Sequence, residues 1–514
     1  MGISGLHTLK YFRLMINGIL VGDNFFQSPR TAICRANGAH RIATMLRKEN
    51  IKVNIVDFIN AWDTIEIENL IAKISDLNFL GVSTGLGQLD SYKINLLITK
   101  CKTKWPNIKV IAGGNEVLQN KFIGVDLYFL GFAEGVIPNL IKYLKTGKFD
   151  PFKISDINVD GLKKVIDCNK HFLAYDLSNL KITYSQDDFI DKLETLTLET
   201  SRGCIFKCEF CNFPFTGKKK NEYIRIKEDI KNELVENYKN FGTTRYLITD
   251  DTFNDNIIKV DMMHEISQEI DFKLSFMCYA RVDLLHHKDQ LRKMVEFGVK
   301  GMYFGIESLR PETAKKIGKG YTGDKLKNYL IEIKNKYPNL HITTSWITGL
   351  PDESIEEFEE NLKWIVDNKV SDSFKILNLV IPRDNGSNYI SPFTRSWPDH
   401  GYEEMTQSEI YLYKTEKGDS FFGQGLESYL KYFIPWKNKH MNFMDAHRYS
   451  LQLSQKYKDS ISVSGWFGFC QSFNTTDLDK VLHTKKTDYD WTKQQKQVQE
   501  FITNYKKNKI ESIK

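Results

Sequence analysis

The sequence predicts an α/β protein with a doubly wound parallel sheet first, a partial (β/α)6 barrel second and a mixed, aromatic-rich region last. Three observations predict it. Short apolar runs alternate with helical stretches from about residue 11 to 146, which implies a parallel sheet covered on both faces. The same alternation resumes at Leu196 for six units, as a partial barrel requires. After Pro382 the pattern breaks, and Trp397, Trp436, Trp466 and Trp491 appear among many Tyr and Phe. The expected boundaries are 1–146, a linker over 147–194, a barrel over 195–385 and a C-terminal substrate or cap region over 386–514. A length of 514 residues fits two to four domains.

In the first part, Tyr11 to Val21 is apolar enough for a strand. The polar loop Gln27-Ser28-Pro29-Arg30 leads through Asn37-Gly38 into a helix ending near Glu49. K-V-N-I-V-D-F (52–58), F-L-G-V-S-T (79–84), I-K-V-I-A-G-G (108–114) and V-D-L-Y-F-L-G (125–131) read as further strands. Helices near 64–76 and 89–104 and from Glu134 separate or follow them. Five strands in this rhythm predict a doubly wound domain. In the second part the strands are T-L-T-L-E-T (195–200), R-Y-L-I-T-D (245–250), L-S-F-M-C-Y-A (274–280), G-M-Y-F-G-I (301–306), H-I-T-T-S-W-I (341–347) and F-K-I-L-N-L-V (374–380). Chemistry in such barrels sits at the C-terminal strand ends. The last thirty residues, rich in Lys and Gln, read as helical.

Bulk composition excludes several classes. Lys plus Arg number 71 against 65 Asp plus Glu, a mild net charge of +6 that does not indicate nucleic-acid binding. No uninterrupted apolar stretch approaches the roughly 18 residues of a membrane span. The N-terminus, Met1-Gly2-Ile3-Ser4-Gly5-Leu6-His7, lacks a signal peptide's basic start and apolar core. Eight scattered cysteines in a chain this long do not read as a disulfide framework, so a cytoplasmic location is expected. The run Lys218-Lys219-Lys220 reads as a solvated loop.

Three cysteines break the scatter. Directly after the first barrel strand comes S-R-G-C-I-F-K-C-E-F-C-N-F, which places Cys204, Cys208 and Cys211 as C-x3-C-x2-C. Three thiolates at this spacing can hold one face of a cubane iron–sulfur cluster. The fourth iron then stays open to the amino and carboxylate groups of S-adenosylmethionine, and can pass an electron into its sulfonium. Structural zinc competes for such a site but wants a fourth ligand, and Cys168 and His171 lie at no zinc-ribbon spacing. Redox-active cysteines usually come as C-x-x-C beside a thioredoxin-like unit, which is not the context here.

The segment resembles the signature of the radical S-adenosylmethionine superfamily, including the aromatic Phe210 before the last cysteine. The resemblance runs over about residues 195 to 385. L-I-T-D-D-T-F-N-D-N (247–256), C-Y-A-R-V-D (278–283), G-I-E-S-L-R-P-E-T (305–313) with K-K-I-G-K-G-Y-T (315–322), and T-G-L-P-D-E-S (348–354) are similar to successive strand-end elements of the subfamily with an N-terminal cobalamin-binding-like domain. The resemblance implies a 4Fe-4S cluster on Cys204, Cys208 and Cys211, with S-adenosylmethionine bound beside it. It implies that Phe210 helps place the adenine and that Asp250 and Asp251 accept from the methionine ammonium. Arg281 would pair the methionine carboxylate. Glu307 and Ser308 would meet the ribose hydroxyls, and Gly349-Leu350 would line the adenine side. Each of these is alternatively a cap or loop anchor.

The first domain is similar to the cobalamin-binding domain of that subfamily through I-K-V-I-A-G-G-N-E (108–116) and V-D-L-Y-F-L-G-F-A-E-G (125–135). Gly-rich turns near Ser83-Thr84-Gly85 and Gly113-Gly114 would let a corrin approach the strand ends. No D-x-H-x-x-G motif exists, so no histidine is identified as a lower cobalt ligand; His40 is the nearest candidate, and cobalamin stays an open expectation. Methylthiotransferases, a rival subfamily, carry three further N-terminal cysteines, but Cys34, Cys101 and Cys168 do not match in context. Cys470 stands alone in G-W-F-G-F-C and reads as a packed thiol. The resemblance implies an enzyme that cleaves S-adenosylmethionine to a 5′-deoxyadenosyl radical and modifies an unreactive C–H bond, as a cobalamin-dependent methyltransferase or otherwise. It implies a reductant such as flavodoxin or ferredoxin and a substrate that the sequence does not disclose. The alternative is a non-catalytic iron–sulfur sensor or binding protein that keeps the fold.

Overall fold

The computed structural model of the chain describes residues 16–23, 33–84, 89–114, 122–148, 165–168, 177, 180–211, 223–320, 322–384, 390–417, 426–471 and 475–513. The expected strand start at Tyr11, the loop Gln27-Ser28-Pro29-Arg30 and the run Lys218-Lys219-Lys220 lie outside the described residues.

Six parallel strands form the first sheet: β1 (Asn17–Asp23), β2 (Lys52–Val56), β3 (Phe79–Thr84), β4 (Lys109–Gly114), β5 (Leu127–Leu130) and β6 (Val165–Asp167), in the order β2-β1-β3-β4-β5-β6. Helices α1 (Asn37–Lys48) and α4 (Ile137–Thr146) cover one face, where Ala43, Leu46, Leu140 and Leu144 meet Leu20, Ile55 and Phe129. Helices α2 (Thr64–Lys73) and α3 (Ser91–Lys104) cover the other through Ile67, Leu70, Ile94 and Leu97. Burial on both faces explains why these strands read as continuous apolar runs. Asp63 and Glu66 close a capping box that starts α2. The order reverses between β1 and β3, so the carboxyl ends of those strands form the crevice where open α/β sheets bind ligands. Sequence predicted five strands here; the sixth, β6, comes from the stretch read as linker. Three residues pairing with Tyr128, Phe129 and Leu130 at a sheet edge are too short a run to stand out.

The second sheet holds β7 (Thr195–Leu198), β8 (Arg245–Ile248), β9 (Ser275–Ala280), β10 (Val299–Glu307), β11 (His341–Thr348) and β12 (Ser373–Asn378), all parallel and in sequential order. Their outward residues, among them Tyr246, Phe276, Met302, Ile342 and Phe374, pack under the flanking helices in one large core.

The first domain flanks the β7 edge. Arg35 donates to Glu194 at 2.6 Å and to Asp57 at 2.8 Å, between the rings of Phe58 and Tyr505, each 5.4 Å from its guanidinium carbon. The C-terminal region divides three ways. The described residues of 393–456 pack at the carboxyl ends of β11 and β12, where Tyr402 donates to the Gly349 carbonyl at 2.7 Å and Trp436 to that of Leu379 at 3.0 Å. The helix Gly465–Gln471 lies at the amino ends, accepting from Thr195 through the Phe469 carbonyl at 2.7 Å. The helix Trp491–Ser512 returns to the first domain, burying Val498, Ile502 and Tyr505 in its core. Among the described residues no helix is long and apolar enough to cross a membrane.

Candidate functional site

The cysteine loop leaves β7 and is tied down at once. The backbone N–H groups of Thr200 and Ser201 donate to Asp250 at 2.7 and 3.1 Å, and their hydroxyls at 2.5 and 2.7 Å. Fully buried Lys259 adds an ion pair to Asp250 at 3.2 Å, and reaches the Thr252 carbonyl at 2.8 Å and Asp255 at 2.7 Å. A buried carboxylate is tolerated when donors surround it, and here they fix the loop's take-off angle. Asp251, next in sequence, instead accepts from the Gly203 N–H, and burial, with Asp250 and Glu199 nearby, pushes its carboxyl up to about 7.

The loop then meets the turn after β10. Glu209 N–H donates to the Ile317 carbonyl at 3.2 Å. Gly318 has φ of 75°, and a Cβ there would sit 3.1 Å from the Lys207 carbonyl, so close approach of the two loops needs glycine. Cys208 Sγ lies 4.0 Å from the Gly318 carbonyl and 4.0 Å from Arg281 Nη1. Cys204 Sγ lies 3.5 Å from the Thr252 hydroxyl. Cys211 N–H donates to the Cys208 carbonyl at 3.1 Å. All three thiols are free of disulfides, and burial pushes that of Cys204 up. Among the described residues no three His, Cys, Asp or Glu side chains converge as they would around one metal ion. A cubane asks something else, since each thiolate takes its own iron; three thiols outside any disulfide on one loop, with Cys208 next to a guanidinium, are the donor set that it needs.

The other expected residues lie at successive strand ends. Arg281 follows β9, stacks on Phe206 with 3.9 Å from guanidinium carbon to ring centroid, and makes a bidentate pair with Asp283 at 3.0 and 2.9 Å. Asn254 holds its backbone on both sides, accepting from the N–H at 2.7 Å and donating to the carbonyl at 2.9 Å. Glu307 ends β10 with φ of 66°, just past a register shift between Gly305 and Glu307. This local strain turns its carboxylate back over Gly305, where a Cβ would meet Oε1 at 2.5 Å. Ser345 donates to Glu307 at 3.1 Å and Lys319 Nζ stands 3.8 Å away, yet burial still raises the Glu307 pKa.

Ser308 donates to Glu353 at 2.7 Å and accepts from Arg310 N–H at 3.1 Å. Gly349 has φ of 88° and lies under Trp436. Leu350 is fully enclosed, in the apolar cluster against which Phe210 also packs. Lys319 Nζ is 5.9 Å from the Phe210 ring centroid. Sequence reasoning assigned no role to Lys319, Thr252, Lys259 or Ser345. Lys319 and Thr252 stood in quoted motifs and Ser345 in a quoted strand, but the contacts that give them and Lys259 their places are tertiary and no local pattern announces them.

In the first domain, His40 is buried with Nε2 2.9 Å from Asp57 and Nδ1 3.9 Å from Asp188, inside the packed interior and not on a surface that a corrin could reach. Cys34, Cys101 and Cys168 fall in three different apolar clusters. Gly85, Asn115, Glu116 and His171 lie outside the described residues.

A family model described as the radical SAM superfamily matches residues 198–365. An uncharacterised methyltransferase of Pyrococcus horikoshii is 32% identical over 340 residues, which span 64% of this chain and 72% of the relative. A probable threonylcarbamoyladenosine tRNA methylthiotransferase of Methanocaldococcus jannaschii is 26% identical over 323 residues, 59% of this chain and 70% of the relative. Among solved structures, the radical S-adenosylmethionine methyltransferase TsrM of Kitasatospora setae matches with a TM-score of 0.59 at 13% identity, covering 95% of this chain and 99% of that one. The cobalamin-dependent radical enzyme OxsB matches with 0.54 at 14% identity, over 97% and 72%. The chain therefore belongs to the radical SAM superfamily, enzymes that use a 4Fe-4S cluster and S-adenosylmethionine, and it shares the overall fold of TsrM and OxsB.

Proposed function

We propose that the chain binds its cluster on Cys204, Cys208 and Cys211, cleaves S-adenosylmethionine reductively and modifies a C–H bond of its substrate, as a cobalamin-dependent methyltransferase. The observation that carries this reading is the meeting, at the carboxyl ends of β7 to β11, of a disulfide-free three-cysteine loop with Asp251, Arg281, Glu307 and Lys319. A cluster held there by Cys204, Cys208 and Cys211 would supply the electron for reductive cleavage of S-adenosylmethionine to methionine and a 5′-deoxyadenosyl radical.

The chain's own residues do the rest. Asp250, already surrounded by donors, anchors the loop, while Asp251 faces the methionine ammonium. Arg281, with N–H groups left after its pair with Asp283, turns Nη1 to the cluster side and can take the methionine carboxylate. Glu307, held between Ser345 and Lys319, accepts from the ribose hydroxyls, with Ser308 beside it. Phe210 and the Gly349-Leu350 turn border the adenine. The described residues of 393–456 close around this mouth and limit water.

Cobalamin fits the carboxyl ends of β1, β3 and β4, where Ser83, Thr84, Gly113 and Gly114 offer little side-chain bulk. Gly114 has φ of 128° and a Cβ there would strike the Thr84 carbonyl at 2.0 Å. Bound there, it would supply a methyl group for transfer. A flavodoxin- or ferredoxin-like reductant would deliver the electron. The test is anaerobic purification with cofactor extraction, followed by assay for 5′-deoxyadenosine and S-adenosylhomocysteine. Iron, cobalamin and both products are expected; protein with iron but no cobalamin uptake would overturn the methyltransferase reading.

A further inference from the structure

The concave face of the second sheet is unusual in what it exposes. Phe374 and Ile376 of β12 are buried in the core under the helices, so Ser373, Lys375 and Leu377 point the opposite way, into the lumen. Register places Lys375 beside Ser345 and Ser345 beside Gly305, one row from the pair Tyr279 and Tyr303. Those two rings lie 4.9 Å apart, tilted by 55°. Tyr279 stays 39% exposed and Leu377 40% exposed, on strands whose outward faces are packed.

The floor of this lumen is built. Gly465 N–H donates to the Thr343 hydroxyl at 3.1 Å, His341 bonds the Val463 carbonyl at 3.1 Å, and Trp466, Phe467 and Cys470 join Met277 and Tyr303 in one apolar cluster with Cys34 of the first domain. Lys375, on this face, is paired by no described carboxylate and stays exposed, while its surroundings desolvate it enough to lower its pKa. A partly desolvated ammonium without a counter-charge is less favourable than one that an anion joins. Ser345, on the neighbouring strand, donates to Glu307, so the Lys375 backbone stands one strand spacing, ~4.8 Å, from the residue that holds that carboxylate.

We propose that this lumen binds the substrate, and that Lys375 selects a molecule carrying a carboxylate next to a planar apolar group that lies against Tyr279 and Tyr303. The inference rests on the radical reading above for its reaction, but on the lumen alone for its specificity. A planar group suits the exposed face of Tyr279, because offset or tilted ring contacts are favourable. Leu377, one row nearer the mouth, would cover its other side. Lys319, which also reaches this row at the Gly305 carbonyl, already faces Glu307, so Lys375 is the ammonium left for one negative charge of the substrate.

The probes are indole-3-acetate and its uncharged isostere indole-3-acetamide, measured by equilibrium dialysis against the anaerobically reconstituted enzyme with S-adenosylmethionine present. The carboxylate is expected to bind about tenfold more tightly than the amide, as one charge-assisted hydrogen bond would give. Lys375→Met should erase that preference without changing amide binding, Lys375→Arg should restore it, and Tyr279→Leu should weaken both probes alike. Equal binding of the two probes to the wild type, or a preference that survives Lys375→Met, overturns the proposal. Iron content is read in the same samples. A wild type without iron would sink the radical reading, while the carboxylate preference would still decide the lumen.

Discussion

Arg202 Nη2 donates to Glu134 at 2.7 Å across the boundary between the two domains, two residues before Cys204. The same guanidinium holds Glu199 at 2.7 and 2.8 Å, and Arg41 of α1 pairs with Glu199 at 2.5 Å and with Glu134 at 3.5 Å. Two carboxylates and two guanidiniums thus form a closed, buried set shared by both domains. The arginines keep Glu134 ionised against its burial, and hold the Glu199 carboxyl down at about 2.

Removing one member leaves charge uncompensated. Glu134→Ala should cost about 3–5 kcal/mol in chemical denaturation, the usual penalty for breaking a buried pair. Cleavage within 147–194 by a dilute protease should quicken as the domains separate. An unchanged denaturation midpoint would mean that the buried set contributes no net stability.

The cluster assignment is tested by iron. Anaerobically reconstituted protein should hold about four irons with thiolate charge-transfer absorption. Joint replacement of Cys204, Cys208 and Cys211 by Ala should remove both. Cys34→Ala or Cys470→Ala should not, because those thiols are buried in an apolar cluster away from the loop. Iron retained in the triple variant would refute the loop as its site.

S-adenosylmethionine binding separates the strand-end residues. Glu307→Gln and Arg281→Ala should each weaken it by on the order of 1.5–3 kcal/mol, the range for hydrogen bonds to charged groups, with iron content unchanged. Asp250→Asn should act differently: it loosens Thr200, Ser201 and Lys259 together, so iron content and stability should fall with affinity. Wild-type affinity in both Glu307→Gln and Arg281→Ala would place the pocket elsewhere.

Much of this frame was legible because buried parallel strands are apolar runs. F-L-G-V-S-T was read as 79–84 and is β3 at those residues. The site was legible where residue types sit beside each other in sequence, as Cys204, Cys208 and Cys211 do. What escaped depends on distant partners. The apolar stripe Val498, Ile502 and Tyr505 marks a helix, but nothing local says that Tyr505 will accept from Asp57 N–H at 2.9 Å. Arg202 and Glu134 are 68 residues apart, and Asp250 looks like a ligand contact until Lys259 and the loop's own N–H groups are seen around it.

Glu353 gives a pH signature away from the cysteines. It is 2% exposed, one oxygen accepts from Ser308 at 2.7 Å, and burial pushes its carboxyl up to about 7 from an ordinary 4.5. Between those two values the folded chain keeps a proton that the unfolded chain has released. Stability therefore falls as pH rises from about 4.5 through 7, and the contribution is intact only below that window. The difference of about 2.5 units corresponds to roughly 3 kcal/mol as an upper bound. Glu353→Gln removes the titration while keeping an acceptor for Ser308. Urea denaturation at pH 5 and pH 8 should show the wild type losing more stability than Glu353→Gln over that interval, by up to this amount. Parallel pH profiles for the two proteins would mean that Glu353 ionises as freely in the folded chain as in the unfolded one.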